Sequence, residues 1–231
     1  PLDHRRQWYR YHHLFADVLQ AQLHATDPDS IAVVQRRASI WHEQNGSITD
    51  AIRFSLASGD VVRAAELIER AVPELQRNRQ EALLLSWLQA LPTDVYANRP
   101  VLSGYYASVI LQSGGLEGAD AFLSLAERWL ERTEESQRSG PEEMVVVDSA
   151  EFRRLPGWTA VHRAGLALKL GDIDGTQKHA QRALQLVAEE DHLGRGAASA
   201  LQGLAAWWNG DLDTAHRAYR DSYATHGRAT G

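Results

Sequence analysis

The stretch Gly203-Leu204-Ala205-Ala206-Trp207-Trp208-Asn209-Gly210-Asp211-Leu212-Asp213-Thr214-Ala215 decides the fold of this chain. A small residue is followed seven positions later by Gly-Asp, and then by Leu and Ala at helical spacing. Gly ends a helix in a left-handed conformation without a Cβ penalty. The Asp after it caps the next helix by accepting backbone N–H bonds. Working outward, the same order recurs at Gly46-Ile48-Ala51, Gly59-Val61-Ala64, Gly114-Leu116-Ala119 and Gly171-Ile173-Thr176, and Asp60 and Asp172 stand where Asp211 does. Twelve residues after the last four of these glycines come Ala71, Ala126, Ala183 and Ser222. Seven residues before the last three come Ala107, Ala164 and Gly203. Small side chains at these offsets let two antiparallel helices approach closely, and Ile68, Leu123, Ala180 and Tyr219 fill the gap to the neighbouring pair.

Between the turns the apolar spacing is helical. Val61, Ala64, Ala65, Leu67, Ile68, Ala71, Val72 and Leu75 form one stripe, and the same periodicity holds over 116–130 and 173–187. Val145-Val146-Val147 is too short a β-branched run to build a sheet. The chain is therefore expected to be all-α. The order of small residue, Gly-Asp, Ala and small residue resembles the tetratricopeptide repeat, which implies an α-α superhelix of antiparallel helix pairs. Successive turns lie 13, 55, 57 and 39 residues apart rather than about 34. Extra helices are expected near Glu81 to Ala90 and near Arg99 to Ser113. Residues 133–148, rich in Glu, Ser, Gln, Arg, Gly and Pro, read as a mobile loop.

The 231 residues carry 24 Lys plus Arg against 30 Asp plus Glu, a formal charge of -6, which argues against a basic nucleic-acid-binding face. No apolar run approaches the roughly 20 residues of a membrane span. The absence of Cys excludes thiolate chemistry and fits a cytoplasmic setting. The start at Pro1 has no signal region, and the missing initiator Met suggests a piece of a longer protein.

A more specific resemblance begins at Trp8-Tyr9-Arg10-Tyr11-His12-His13-Leu14-Phe15-Ala16-Asp17. It continues through Arg36-Arg37-Ala38-Ser39-Ile40-Trp41, Asn45-Gly46, Asp50-Ala51-Ile52 and Ala57-Ser58-Gly59-Asp60. Trp87-Leu88-Gln89-Ala90-Leu91-Pro92, Arg99-Pro100-Val101-Leu102 and the opening stretch extend it. Together these segments resemble the large MalT-like regulators of the LuxR family. The resemblance implies that residues 1–28 end a winged-helix module and residues 29–231 form a tetratricopeptide-like domain. Regulators of this family join a signal-transducing ATPase, a winged helix, a helical superhelix and a helix-turn-helix. In them the helical region receives a small-molecule inducer or a regulatory protein. ATP is thereby implied for the intact protein. No cofactor, catalytic residue or direct DNA contact is expected of this stretch, which has no Gly-x-x-x-x-Gly-Lys-Ser/Thr loop.

Candidate site residues follow from the repeat pattern. In tetratricopeptide repeats the positions two and three before the Gly face the inner groove. By that rule Trp207, Trp208, Leu168, Lys169, Leu111 and Gln112 are groove residues, although both tryptophans could instead pack against neighbouring helices. His12 resembles the winged-helix His that reads nucleotide phosphates in related ATPases, and its alternative is packing at the winged-helix junction. A metal site at His12 and His13 lacks a third ligand at helical spacing, and adjacent helix residues diverge by about 100 degrees. His42-Glu43 has no second His at protease spacing. The basic cluster Arg5, Arg6 and Arg10 beside Trp8, Tyr9 and Tyr11 would in isolation suggest single-stranded nucleic acid, but with the net charge and the resemblance it reads as an interdomain contact. The rival to an effector sensor is an interaction scaffold that takes no small molecule.

Overall fold

All five glycines of the repeated pattern adopt left-handed backbone, with φ of 79° at Gly46, 73° at Gly59, 91° at Gly114, 78° at Gly171 and 77° at Gly210. In each case the residue after the Gly donates its N–H to the carbonyl five residues back: Ser47 to His42, Asp60 to Ser55, Gly115 to Ile110, Asp172 to Ala167 and Asp211 to Ala206. This is the Schellman closure, which satisfies carbonyls that a helix end otherwise leaves unpaired. The aspartates then start the next helix. Asp172 Oδ1 accepts from Gly175 N at 2.8 Å and Asp211 Oδ1 from Thr214 N at 3.0 Å. A sixth closure has no glycine: Arg79 sits at φ 54° while Gln80 N donates to Leu75 O.

The computed structural model describes residues 13–131 and 143–229. Among them the helices are α1 (His13–Thr26), α2 (Pro28–Gln44), α3 (Ile48–Ala57), α4 (Val61–Arg77), α5 (Glu81–Ala90), α6 (Pro100–Ser113), α7 (Leu116–Leu130), α8 (Ser149–Lys169), α9 (Ile173–Leu186), α10 (His192–Trp208) and α11 (Leu212–Ala229), with a short 3-10 turn at Thr93–Tyr96. No strand occurs among the described residues, as the periodicity implied. The expected extra helices are α5 and α6, the latter beginning at Pro100, where a missing N–H is tolerated.

The chain divides into two compact units, residues 1–67 and 68–231, with the division inside α4. In the first unit, Asp27 and Pro28 start α2, the Asp27 carboxylate accepting from Ser30 N at 3.2 Å. The α2/α3 hairpin closes where the buried Ser39 hydroxyl donates to Ala51 O at 2.8 Å. The Arg63 Nε in turn donates to Ser39 Oγ at 3.1 Å, and its guanidinium also pairs with Glu43.

The second unit stacks three hairpins, α6/α7, α8/α9 and α10/α11. Ala107, Leu111, Ala119 and Leu123 of the first hairpin close around Leu166 of α8. Ala160, Val161, Ala183 and Val187 of the second close around Ala198 of α10. The small residues expected at helix crossings are buried: Ala107, Ala126, Ala164 and Ala183 have no or almost no exposed surface. At Gly203 an added Cβ would meet the Tyr219 ring at 3.3 Å, so the α10–α11 crossing is close at this position. Ahead of the stack, Trp129 is fully buried and donates from Nε1 to Ala97 O at 2.7 Å, and Tyr96 donates to Leu88 O at 2.6 Å.

Candidate functional site

At the C-terminal end of α10, Trp207 is 56% and Trp208 64% exposed, with ring centroids 5.7 Å apart and planes at 68°. Successive helix residues diverge, so the core that takes Ala205 and Ala206 cannot take both indoles. Helix packing accepts neither of them. Directly after the pair in the chain, Asn209 Nδ2 donates to Gln177 Oε1 at 3.4 Å, linking the end of α10 to α9.

The other groove candidates form a second group. Lys169 is exposed, and its ammonium donates to Leu111 O at 2.6 Å, joining the end of α8 to the end of α6. Leu168 is half-buried. Gln112 is exposed and donates to Ser108 Oγ at 3.2 Å. Leu111 points into the core with Leu123 and Leu166, so it contributes its carbonyl oxygen rather than its side chain. The physical reason is position: α8 packs over the last turn of α6, whereas nothing in the chain packs so over the last turn of α10 among the described residues. His12 lies outside the described residues.

Sequence reasoning missed a polar cleft of about 300 Å³ lined by Glu69, Arg70, Tyr105, Val147, Asp148 and Glu151, among others. Glu69 is buried, 3.7 Å from the buried Arg99 guanidinium, and accepts from Val147 N at 3.3 Å. The Val145 N–H donates to Asn98 O at 2.8 Å, which ties this segment to the turn before α6, while residues 133–142 of the expected loop lie outside the described residues. Tyr105 donates to Glu151 Oε2 at 2.8 Å; burial, and then this carboxylate, push its phenol well above the usual range. From Glu151 the network runs through Arg154 to Asp191, which also accepts from Trp158 Nε1 at 2.9 Å. Burial works against the Asp191 charge, but the Gly194 N–H and the Arg154 guanidinium outweigh it and hold the carboxyl below its ordinary value. No motif could announce this set, because its members come from positions scattered between 69 and 191.

Two further groups have perturbed protonation. Arg163 of α8 is clamped by Glu127, Asp120 and Ser124 of α7, and the Glu127 hydrogen bonds lead in raising its pKa. Burial pushes the His162 imidazole down to about 4, so it is neutral at physiological pH. Among the described residues, no group of three or more His, Asp or Glu side chains is placed to hold a metal, and no helix is long and apolar enough to cross a membrane.

Comparison with known proteins places this geometry. Residues 1–31 match the family model of the MalT winged helix domain. The serine/threonine-protein kinase PknK of Mycobacterium tuberculosis is 33% identical over 127 residues, covering 52% of this chain and 11% of PknK. The HTH-type transcriptional regulator MalT of Cronobacter sakazakii is 25% identical over 211 residues, covering 91% of this chain and 22% of that protein. The chain thus spans only a small part of these relatives. The crystal structure of MamA protein superposes with a TM-score of 0.52 at 10% identity, covering 87% of this chain and 94% of that one, which shows a shared TPR-like all-α fold. A MalT winged-helix match at its start, a MalT relative along nine-tenths of its length and a TPR-like all-α fold together support a MalT-like helical-repeat region.

Proposed function

We propose that this region is the effector- or partner-binding sensor of a LuxR-family transcriptional regulator, acting in the cytoplasm without catalysis of its own. Residues 1–28 close the winged-helix module and residues 29–231 form the receiving domain. Occupancy of the receiving domain is relayed to an ATPase and a helix-turn-helix elsewhere in the protein, with ATP as the cofactor of that ATPase and His12 reading its phosphates. This region itself does not bind DNA directly. The observation that carries the reading is the exposed Trp207–Trp208 pair. Flat apolar faces suit a sugar ring or another flat polar inducer, or an aromatic anchor of a regulatory protein. Lys169, Leu168, Gln112 and the Leu111 carbonyl stand at the corresponding positions of the preceding turns.

The test is a calorimetric titration of candidate inducers into the 231-residue chain and its Trp208→Ala variant. Saturable binding that the variant weakens about tenfold or more supports the reading. Binding that the variant leaves unchanged rejects this face. A second reading, a scaffold with no small-molecule effector, is favoured by one observation: the same sequence is similar to parts of a kinase and of a transcriptional regulator. A region that serves such different outputs is suited to protein contacts. Retention of a protein partner with no heat from any inducer selects that reading.

A further inference from the structure

Residues 143–147, ahead of α8, belong to no helix and are tied down through their main chain. Asn98 Nδ2 donates to Glu143 O at 3.1 Å, Val145 N donates to Asn98 O at 2.8 Å, and Val147 N donates to Glu69 Oε1 at 3.3 Å. Every second residue thus turns a main-chain group to the same support, the period at which non-helical backbone presents one edge to a neighbour. None of these three bonds uses a side chain of the segment, so the support reads backbone rather than sequence.

The support itself is fixed from the opposite side. Ala97 O accepts from Trp129 Nε1 at 2.7 Å and from Arg128 at 2.8 Å, and Ser103 Oγ donates to Tyr96 O at 3.0 Å. Glu69 lies 3.7 Å from the buried Arg99 guanidinium, which balances its charge. Residues 144–147 are correspondingly uncharged, and none is more than half-buried. A segment without a buried side chain can open while the helices stay in place.

We propose that Asn98 and Glu69 form a docking site for a non-helical, uncharged segment of a partner protein, and that residues 143–147 occupy it as a pseudo-ligand which that partner displaces. Main-chain pairing to a preformed edge is a general mode of peptide recognition, in which backbone bonds supply the affinity. The tethered segment competes at an effective concentration on the order of 1 mM, which keeps free peptide out of the intact chain. The site shares no residue with the Trp207–Trp208 face.

The probe is a synthetic peptide with the sequence of residues 143–149, titrated by NMR into the 231-residue chain and into a Val145→Pro, Val147→Pro double variant. In that variant the segment loses both N–H donors. It is expected to bind the peptide about tenfold or more tightly than the unaltered chain does, with the Asn98 side-chain amide among the shifted signals. Adding Asn98→Ala is expected to weaken this binding, and circular dichroism verifies that the helices persist. Without any variant, the Val145 and Val147 amides of the unaltered chain are expected to exchange hydrogen by local opening, at rates that low urea leaves unchanged. Equal binding to both chains, absence of binding to the double variant, or binding indifferent to Asn98→Ala overturns the proposal. So does exchange of these two amides only through global unfolding.

Discussion

The Lys169 ammonium is bonded to the Leu111 carbonyl at 2.6 Å across two successive hairpins. Leu111 lies in the last turn of α6, where carbonyls have no helical partner and the helix dipole places negative potential. The Leu111 carbonyl already accepts from the Gly114 N–H at 3.3 Å, and the cation adds a second, charge-assisted bond at the negative end of the dipole. The bond also holds the ends of α6 and α8 together just where the repeat directs its groove positions.

Replacing Lys169 with Met is expected to cost about 1 kcal/mol, the net worth of a partly exposed charge-assisted bond. Urea unfolding of the variant measures it. Unchanged stability would mean that water satisfies the Leu111 carbonyl equally well.

Trp208→Ala is expected to cost well under the roughly 3–5 kcal/mol of removing a core Trp, because most of the indole is already in water. Trp129→Ala, which empties a fully buried site and removes one of the two side-chain donors to the Ala97 carbonyl, is expected to reach that range. Thermal melts of the two variants side by side make the comparison, and equal losses would place Trp208 in the core.

The backbone at the turns gives an opposed pair. Gly171→Ala forces a Cβ into left-handed backbone and is expected to destabilise by about 1–2 kcal/mol. Arg79→Gly relieves that conformation but frees the unfolded chain, so it is expected to be neutral to stabilising by up to about 1 kcal/mol. Denaturant midpoints decide between these signs, and loss of stability at Arg79→Gly would show that the Arg79 side chain contributes more than its backbone costs.

His162 makes stability depend on pH. Its folded pKa is lowered by burial from 6.5 to about 4, so between these values the unfolded chain binds a proton that the folded chain does not. Stability is therefore complete above about pH 6.5 and falls as pH drops through the window, by up to roughly 3 kcal/mol near pH 4. His162→Gln is expected to flatten most of this slope; the partly exposed His179, also lowered by burial, retains a residual slope of the same sign. Asp191, held below its ordinary value, loses its contribution only at lower pH. Unfolding free energies measured from pH 7 to pH 4 check the difference between the two chains.

What the sequence by itself determined was local. Gly at 46, 59, 114, 171 and 210 announced left-handed turns, because only Gly takes that backbone without strain, and Asp60, Asp172 and Asp211 announced the helix starts that follow. Small residues at fixed offsets announced where helices cross, because steric fit depends on side-chain volume at one place. The turn at Arg79 escaped notice since Arg does not report its backbone conformation. Only the tertiary structure decided which apolar residues are covered. Leu111 and Trp207 share one repeat offset, yet Leu111 is buried beneath α8 and Trp207 is exposed. The Glu69–Arg99 pair and the Tyr105–Glu151–Arg154–Asp191 network were likewise illegible, because burial and ion pairing depend on elements far apart in the chain.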